Sequence, residues 1–241
     1  MKNFDNKYLD AISWLYEIGC DEVVDFIPRD NSNVSGIEDS NPDISKSENI
    51  DTFQIVNDID SFETFETFVY KSNIEKYKDY KFYDGFNSSD LMVVGDYPTE
   101  EELKIGKPFQ GKVGNLLDAM LQAIDFDRTN TFYTNFYIQN IINGNKNLKN
   151  EFKFFLSILF KQIELVNPKV VILFGAEVCN ALTGNEQGIF VSRGKWFDLK
   201  TEGVAFKFSA VSMFHPRHIL ANPVNKKEAW EDLKAIKRKF S

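Results

Sequence analysis

Cysteine and histidine are scarce: the 241 residues hold two of each, Cys20 and Cys179, His215 and His218. Two cysteines cannot build a disulfide framework, an all-thiolate zinc site or a four-cysteine iron–sulfur cluster, and two histidines exclude a multi-histidine zinc centre. Long apolar runs are missing too. No stretch approaches the roughly 20 residues that cross a bilayer, and Met1 to Asp10 lacks the apolar core of a secretory leader, so no membrane partner and a cytoplasmic location are expected. Basic residues are outnumbered, 28 Lys plus Arg against 36 Asp plus Glu, and the net charge of −8 argues against a protein that coats nucleic acid with its whole surface. What is plentiful is apolar: 43% of residues are hydrophobic and 23 are Phe, enough for a substantial core.

The total charge hides its distribution. Residues 1–80 carry 7 basic and 18 acidic side chains, and residues 193–241 carry 11 and 5. Such asymmetry fits an anionic ligand at the basic end, and equally a solvated Lys-rich terminal helix. Tyr8 to Phe26 has helical apolar spacing, and Arg29 to Asp51 is too polar to order itself. The expected organisation is an N-terminal helical arm over 1–28, a flexible acidic linker over 29–55 and one folded domain over 56–241.

Within that domain, apolar runs at Leu91–Val94, Thr131–Tyr137, Val170–Phe174 and Phe206–Met213 predict strands. Helical stripes at Val113–Ile124, Phe152–Val166 and Asn225–Phe240 alternate with them, with a further helix through Ala181, while Ile189–Leu199 suggests a hairpin. The alternation predicts an α/β fold, a three-layer α/β/α sandwich with a central, mainly parallel sheet. Ligands of such sheets sit at the carboxyl ends of the strands.

Four segments fall there: Gly95-Asp96-Tyr97-Pro98 with Pro108-Phe109-Gln110-Gly111, then Thr134-Asn135, then Ser192-Arg193-Gly194-Lys195-Trp196, and finally His215-Pro216-Arg217-His218-Ile219-Leu220. Each has a plainer reading. An Asp after Gly is commonly a turn residue, a lone Asn a cap, a His-Pro a loop, a Phe core packing, and Ile219-Leu220 the start of a buried helix. Their order and shared position carry the signal.

Together with Pro168-Lys169-Val170-Val171-Ile172-Leu173-Phe174-Gly175-Ala176, these motifs resemble the family 4 uracil-DNA glycosylases, over roughly Asp90 to Lys239. The resemblance implies a cytoplasmic, bacterial, monomeric DNA-repair hydrolase with the uracil-DNA glycosylase-like fold. Such an enzyme takes uracil-containing DNA as partner and cleaves the N-glycosidic bond of flipped-out deoxyuridine in base-excision repair. It casts Phe109 as the platform on which the base stacks and Asn135 as the carboxamide that reads O4 and N3–H. His215 becomes the donor to O2 as the base departs, and Asp96 the carboxylate that orients water or stabilises the sugar cation. Ser192, Arg193, Lys195, Arg217 and His218 become DNA contacts, and Ile219-Leu220 the wedge filling the gap left by the flipped base.

The chain also departs from that pattern. The four cluster cysteines are missing, so no iron–sulfur cluster or other cofactor is expected, and no metal. Asp96 replaces Glu and Thr99 replaces Gly. Tyr97 is bulky for its position, and either narrows the pocket against thymine's methyl group or obstructs uracil. Asn140-Ile141-Ile142-Asn143 replaces an Arg-Pro-Pro stretch, and Asn143 to Asn150 lacks the histidine of a crosslinking branch. Alternatives therefore stand beside the glycosylase: a catalytically degenerate DNA-binding or DNA-polymerase-associated protein on the same fold, or a glycosylase for another deaminated base such as hypoxanthine or xanthine. The acidic N-terminal arm suggests a protein partner.

Overall fold

A computed structural model describes residues 56, 58–72, 80–138, 148–184, 187–200 and 207–240. The expected arm and linker, Cys20 and the Asn140–Asn143 segment lie outside these. Helix α1 (Phe62–Ser72) precedes edge strand β1 (Tyr83–Gly85) and the buried strand β2 (Leu91–Gly95). Helices α2 (Glu100–Ile105) and α3 (Gly111–Gln122) lead to β3 (Thr131–Asn135); α4 (Leu148–Val166) leads to β4 (Val170–Phe174), followed by α5 (Ala176–Thr183). A single-turn helix α6 (Ile189–Ser192), strands β5 (Trp196–Lys200) and β6 (Lys207–Met213), then α7 (Pro216–Ala221) and α8 (Lys226–Phe240) complete the order.

The sheet order is β1-β3-β2-β4-β6-β5. Its four central strands are mutually parallel, and β1 and β5 close the edges antiparallel. Every residue of β2, β3 and β4 is buried, the mark of strands covered on both faces. Alternation along β2 sorts the layers: Met92 and Val94 join the core under α1, α4 and α5, whereas Leu91 and Val93 join the one under α3, α7 and α8. Helices on both faces of a mainly parallel sheet are what the alternating pattern predicts.

One element differs. Ile189 to Leu199 is not a hairpin: Ile189 to Ser192 form α6, and the hairpin is made by β5 pairing with β6. The physical reason is visible in the side chains, since Ile189 packs against the core while its neighbours Phe190 and Val191 are both exposed, a pattern that strand alternation cannot produce.

The fold positions a site because β2 feeds α3 on one face and β3 feeds α4 on the other, so successive crossovers change face beside β2. Ligands of such sheets sit at that switch, outside the carboxyl ends of the strands. Gly95 pairs with Asn135 there, and Phe174 with Met213, two residues before His215.

Candidate active site

Gly95 ends β2 where three side chains close in on its bare backbone, and the space they face is the candidate hollow. A Cβ at this position would run into the Asn135 Oδ1 atom and would stand 2.8 Å from Phe109 Cζ and 3.4 Å from His215 Nε2. Three side chains picked out from separate sequence motifs therefore converge on the space that the missing side chain leaves. Asn135, Phe109 and His215 are all buried.

His215 occupies the N-cap of α7, with Pro216 at the first helical position. Its Nδ1 accepts the backbone N–H of Arg217 at 3.1 Å. A backbone N–H can only donate, so Nδ1 carries no proton and the neutral ring holds its proton on Nε2. That Nε2–H is the atom turned toward the hollow. Burial pushes His215 down from the usual imidazole value to about 4, against the pull of Asp96 and with the help of Arg217 and His218. The ring is thus a neutral donor at physiological pH.

Asp96 lies beside it, Oδ1 3.6 Å from His215 Nε2. The same oxygen accepts the Tyr97 backbone N–H at 2.8 Å and the Arg217 guanidinium at 2.6 Å. Among the described residues no hydrogen bond uses Oδ2. Arg217 also lies over the Tyr97 ring, 4.9 Å from its centroid, and Tyr97 packs against the core on the α1–α4 side of the sheet. A second carboxylate, Glu177 on the first turn of α5, accepts from the Tyr137 hydroxyl; partial loss of water and the Asp96 charge raise it above its ordinary range.

Phe109 is held in place through its backbone. Its φ of 52° is the left-handed region, which costs a side-chain-bearing residue about 1 kcal/mol or more. Its N–H donates to Glu102 Oε1, and its carbonyl accepts from Arg128 at 2.5 Å. Glu102 is buried and also accepts the Thr99 N–H through Oε2 at 2.6 Å, closing a capping box at the start of α2. Arg128 is itself fixed by Asp84 and Asp118. We expect Glu102→Gln, which turns one accepting oxygen toward an N–H as a donor, to lower the unfolding free energy by about 2 kcal/mol. An unchanged urea midpoint would show that the carboxylate does not brace Phe109.

Tyr80 enters the site unannounced by any motif. Its hydroxyl accepts from Asn135 Nδ2 at 3.4 Å, which turns Oδ1 toward the hollow. Burial and the nearby Glu102 charge hold the phenol far above its usual range, so it stays protonated. Glu102 and Glu177 were likewise missed. The Thr99-x-x-Glu102 capping pattern was the only local sign of the first, and nothing in the sequence marks the other two.

Burial removes Ser192 and Ile219 from the expected DNA contacts, and others of them have partners within the chain. Ser192 is fully buried and donates to the Gly188 carbonyl. Arg193 forms a two-pronged ion pair with Asp232 at 3.1 and 2.7 Å and lies over the Phe214 ring, fastening α8 to the turn before β5. Ile219 is 1% exposed and belongs to the core, so it is no surface wedge; Leu220 is partly buried against the same core. His218 stacks on Phe214 and meets Asn225 at 2.7 Å. Arg217 is engaged with Asp96. Lys195 stays at the surface, bonded to Gln187 at 3.0 Å.

A family model described as the uracil DNA glycosylase superfamily matches residues 82–234, the stretch that builds this hollow. The chain belongs to the uracil-DNA glycosylase superfamily. It is 29% identical over 162 residues to a type-4 uracil-DNA glycosylase of Sulfurisphaera tokodaii, covering 64% of this chain and 71% of that protein. Type-4 enzymes of Saccharolobus solfataricus and Archaeoglobus fulgidus are 28% and 25% identical, over 66% and 63% of this chain and 74% and 77% of their own lengths. The residues present do not fit the four-cysteine cluster associated with that type: Cys20 and Cys179 are the only cysteines, and Cys179 is buried inside α5. Among the described residues, no group of three or more His, Cys, Asp or Glu side chains could hold a metal ion, and no helix is long and apolar enough to cross a membrane.

Proposed function

We propose that the protein is a uracil-DNA glycosylase that hydrolyses the bond between C1′ and N1 of a deoxyuridine turned out of the DNA stack. The observation that carries this reading is the convergence of an aromatic ring, a carboxamide and a neutral N–H donor on the hollow over Gly95. The rings of Phe109 and His215 are 19° from parallel with centroids 5.8 Å apart. A pyrimidine stacked on Phe109 therefore lies nearly parallel to the imidazole, and the in-plane Nε2–H meets an in-plane lone pair of O2. Asn135 Oδ1 accepts N3–H, and the Nδ2 hydrogen not used on Tyr80 serves O4. Cytosine, with an amino group and a bare N3, reverses both requirements.

The chemistry follows from where charge moves. When C1′–N1 breaks, the electron pair leaves with the base and negative charge gathers on O2, so the His215 bond strengthens in the transition state. The sugar becomes cationic, and the Asp96 carboxylate stabilises it. Oδ2 orients the water whose oxygen bonds to C1′, while Arg217 and the Tyr97 N–H fix Oδ1. Lys195 serves as a phosphate contact.

This reading needs no iron–sulfur cluster, because the chain lacks the thiolates for one. It makes the protein a cytoplasmic bacterial monomer whose acidic N-terminal segment meets another protein. Incubation with an oligonucleotide holding one uracil, followed by alkali, tests the activity: strand scission at the uracil is expected. Its absence while a control glycosylase cuts the same substrate would favour a DNA-binding protein without turnover, and scission only at hypoxanthine or xanthine would move the substrate to another deaminated base.

A further inference from the structure

The wedge expected at Ile219-Leu220 is not where the sequence points. Ile219 is 1% exposed, yet a different large apolar group stands in solvent on the same side of the molecule: Phe190 in α6 is 68% exposed, with Val191 exposed beside it. An exposed Phe on a single-turn helix is costly to leave in water unless something covers it.

Phe190 is braced, not loose. Its ring meets Phe214 edge-on at 5.1 Å and His218 edge-on at 5.5 Å, and those two rings stack at 4.9 Å. Asn225 holds the far side of the His218 ring at 2.7 Å. Phe214 immediately precedes His215, so the platform under Phe190 is the same chain segment that delivers the Nε2–H donor to the hollow. Val224, 82% exposed, rises from the short turn that carries Asn225. Lys195, shortly after Phe190 in the chain, and Lys227, shortly after Val224, are both exposed.

We propose that Phe190 is the side chain that enters the DNA stack at the position vacated by the flipped nucleotide, with duplex DNA as the occupant of the ridge. The proposal rests on the glycosylase reading above. A rigid apolar tip flanked by cations is what such a gap requires: the tip replaces lost stacking while phosphates on either side meet the lysines. Duplex DNA needs this replacement because the opposite strand holds the gap open. Single-stranded DNA has no such gap, and its base reaches the hollow unaided.

Turnover of uracil in matched duplex and single-stranded oligonucleotides, for the full chain and for Phe190→Ala, tests this. Phe190→Ala is expected to lower kcat/KM on the duplex by tenfold or more and to change the single-stranded value by less than twofold, with Phe190→Leu restoring most of the duplex rate. Thermal melts of both variants should match the parent, since the ring is mostly in solvent. Equal effects on both substrates, or none on either, would overturn the wedge; so would a duplex-specific loss in Leu220→Ala with Phe190→Ala unaffected. Failure of the parent protein on both uracil substrates, while a control glycosylase cuts them, would instead remove the glycosylase reading itself.

Discussion

His215→Ala lowers kcat on uracil-containing DNA by about 100-fold to 1000-fold, the range for losing one donor aimed at a developing oxyanion. The loss falls on kcat more than on KM, because the bond to O2 gains strength only as the base leaves. The geometry specifies which proton acts. Nδ1 is occupied by the Arg217 N–H, so Nε2–H faces the hollow, and burial keeps the ring neutral down to about pH 4. A charged imidazole is therefore not the working form, and turnover between pH 5 and 8 should show no limb from His215. Stability carries the complementary sign. The unfolded chain binds a proton at His215 near pH 6.5 and the folded chain only near 4, so stability from this residue is complete above pH 6.5 and is lost as the pH falls toward 4. The full span is about 3 kcal/mol at this shift. Urea unfolding at pH 7 and pH 4.5 measures it: the parent should lose more stability than His215→Ala over that interval. Parallel losses would place the acid sensitivity elsewhere, and unchanged kcat in the variant would remove His215 from the mechanism.

Much of the scaffold was legible because its signals are local. Val170–Phe174 is a continuous β-branched and apolar run stopped by Pro168 and Gly175, and the strand has those bounds. Phe152–Val166 has the stripe of a helix, which begins slightly earlier, at Leu148. Where the text misled, the reason is physical. Ile189-Phe190-Val191 is a short apolar run that suits strand and helix equally, and only the packing of Ile189 alone selects the helix. Ile219 follows Pro216 by three residues, so once Pro216 starts a helix that position turns into the core. Arg193 reads as a free cation until the fold brings Asp232 to it from 39 residues away.

The site shows the same division. Phe109, Asn135 and His215 could be picked out because each stands in an ordered motif after a strand. The groups that aim them could not, because their partners are remote in sequence: Tyr80 meets Asn135 across 55 residues, and Arg217 meets Asp96 across 121. For His215 the plain reading holds and does not compete with the proposed one. It does cap a helix, and capping with Nδ1 is what commits the other nitrogen to the hollow.

Asn135→Ala is expected to reduce kcat/KM on uracil DNA by about 100-fold or more, since a site built to hydrogen-bond a base edge loses heavily when its partner groups go unpaired. Removing the carboxamide takes away the acceptor for N3–H and the donor for O4 together. It also strips the Tyr80 hydroxyl of its bond to Nδ2 inside the core, a further cost of about 1 to 2 kcal/mol in stability. Two measurements separate these effects. Binding of free uracil by calorimetry should disappear in Asn135→Ala while the thermal midpoint falls only modestly. Gly95→Ala leaves Asn135 in the sequence and fills the hollow instead, because its methyl group would overlap Oδ1 and press on Phe109 Cζ. It should abolish uracil binding with the carboxamide and the Tyr80 hydroxyl both still present. If Asn135→Ala retains both uracil binding and turnover, the carboxamide is a structural cap on β3 and the base is read elsewhere; if only Gly95→Ala retains them, the base does not enter over Gly95.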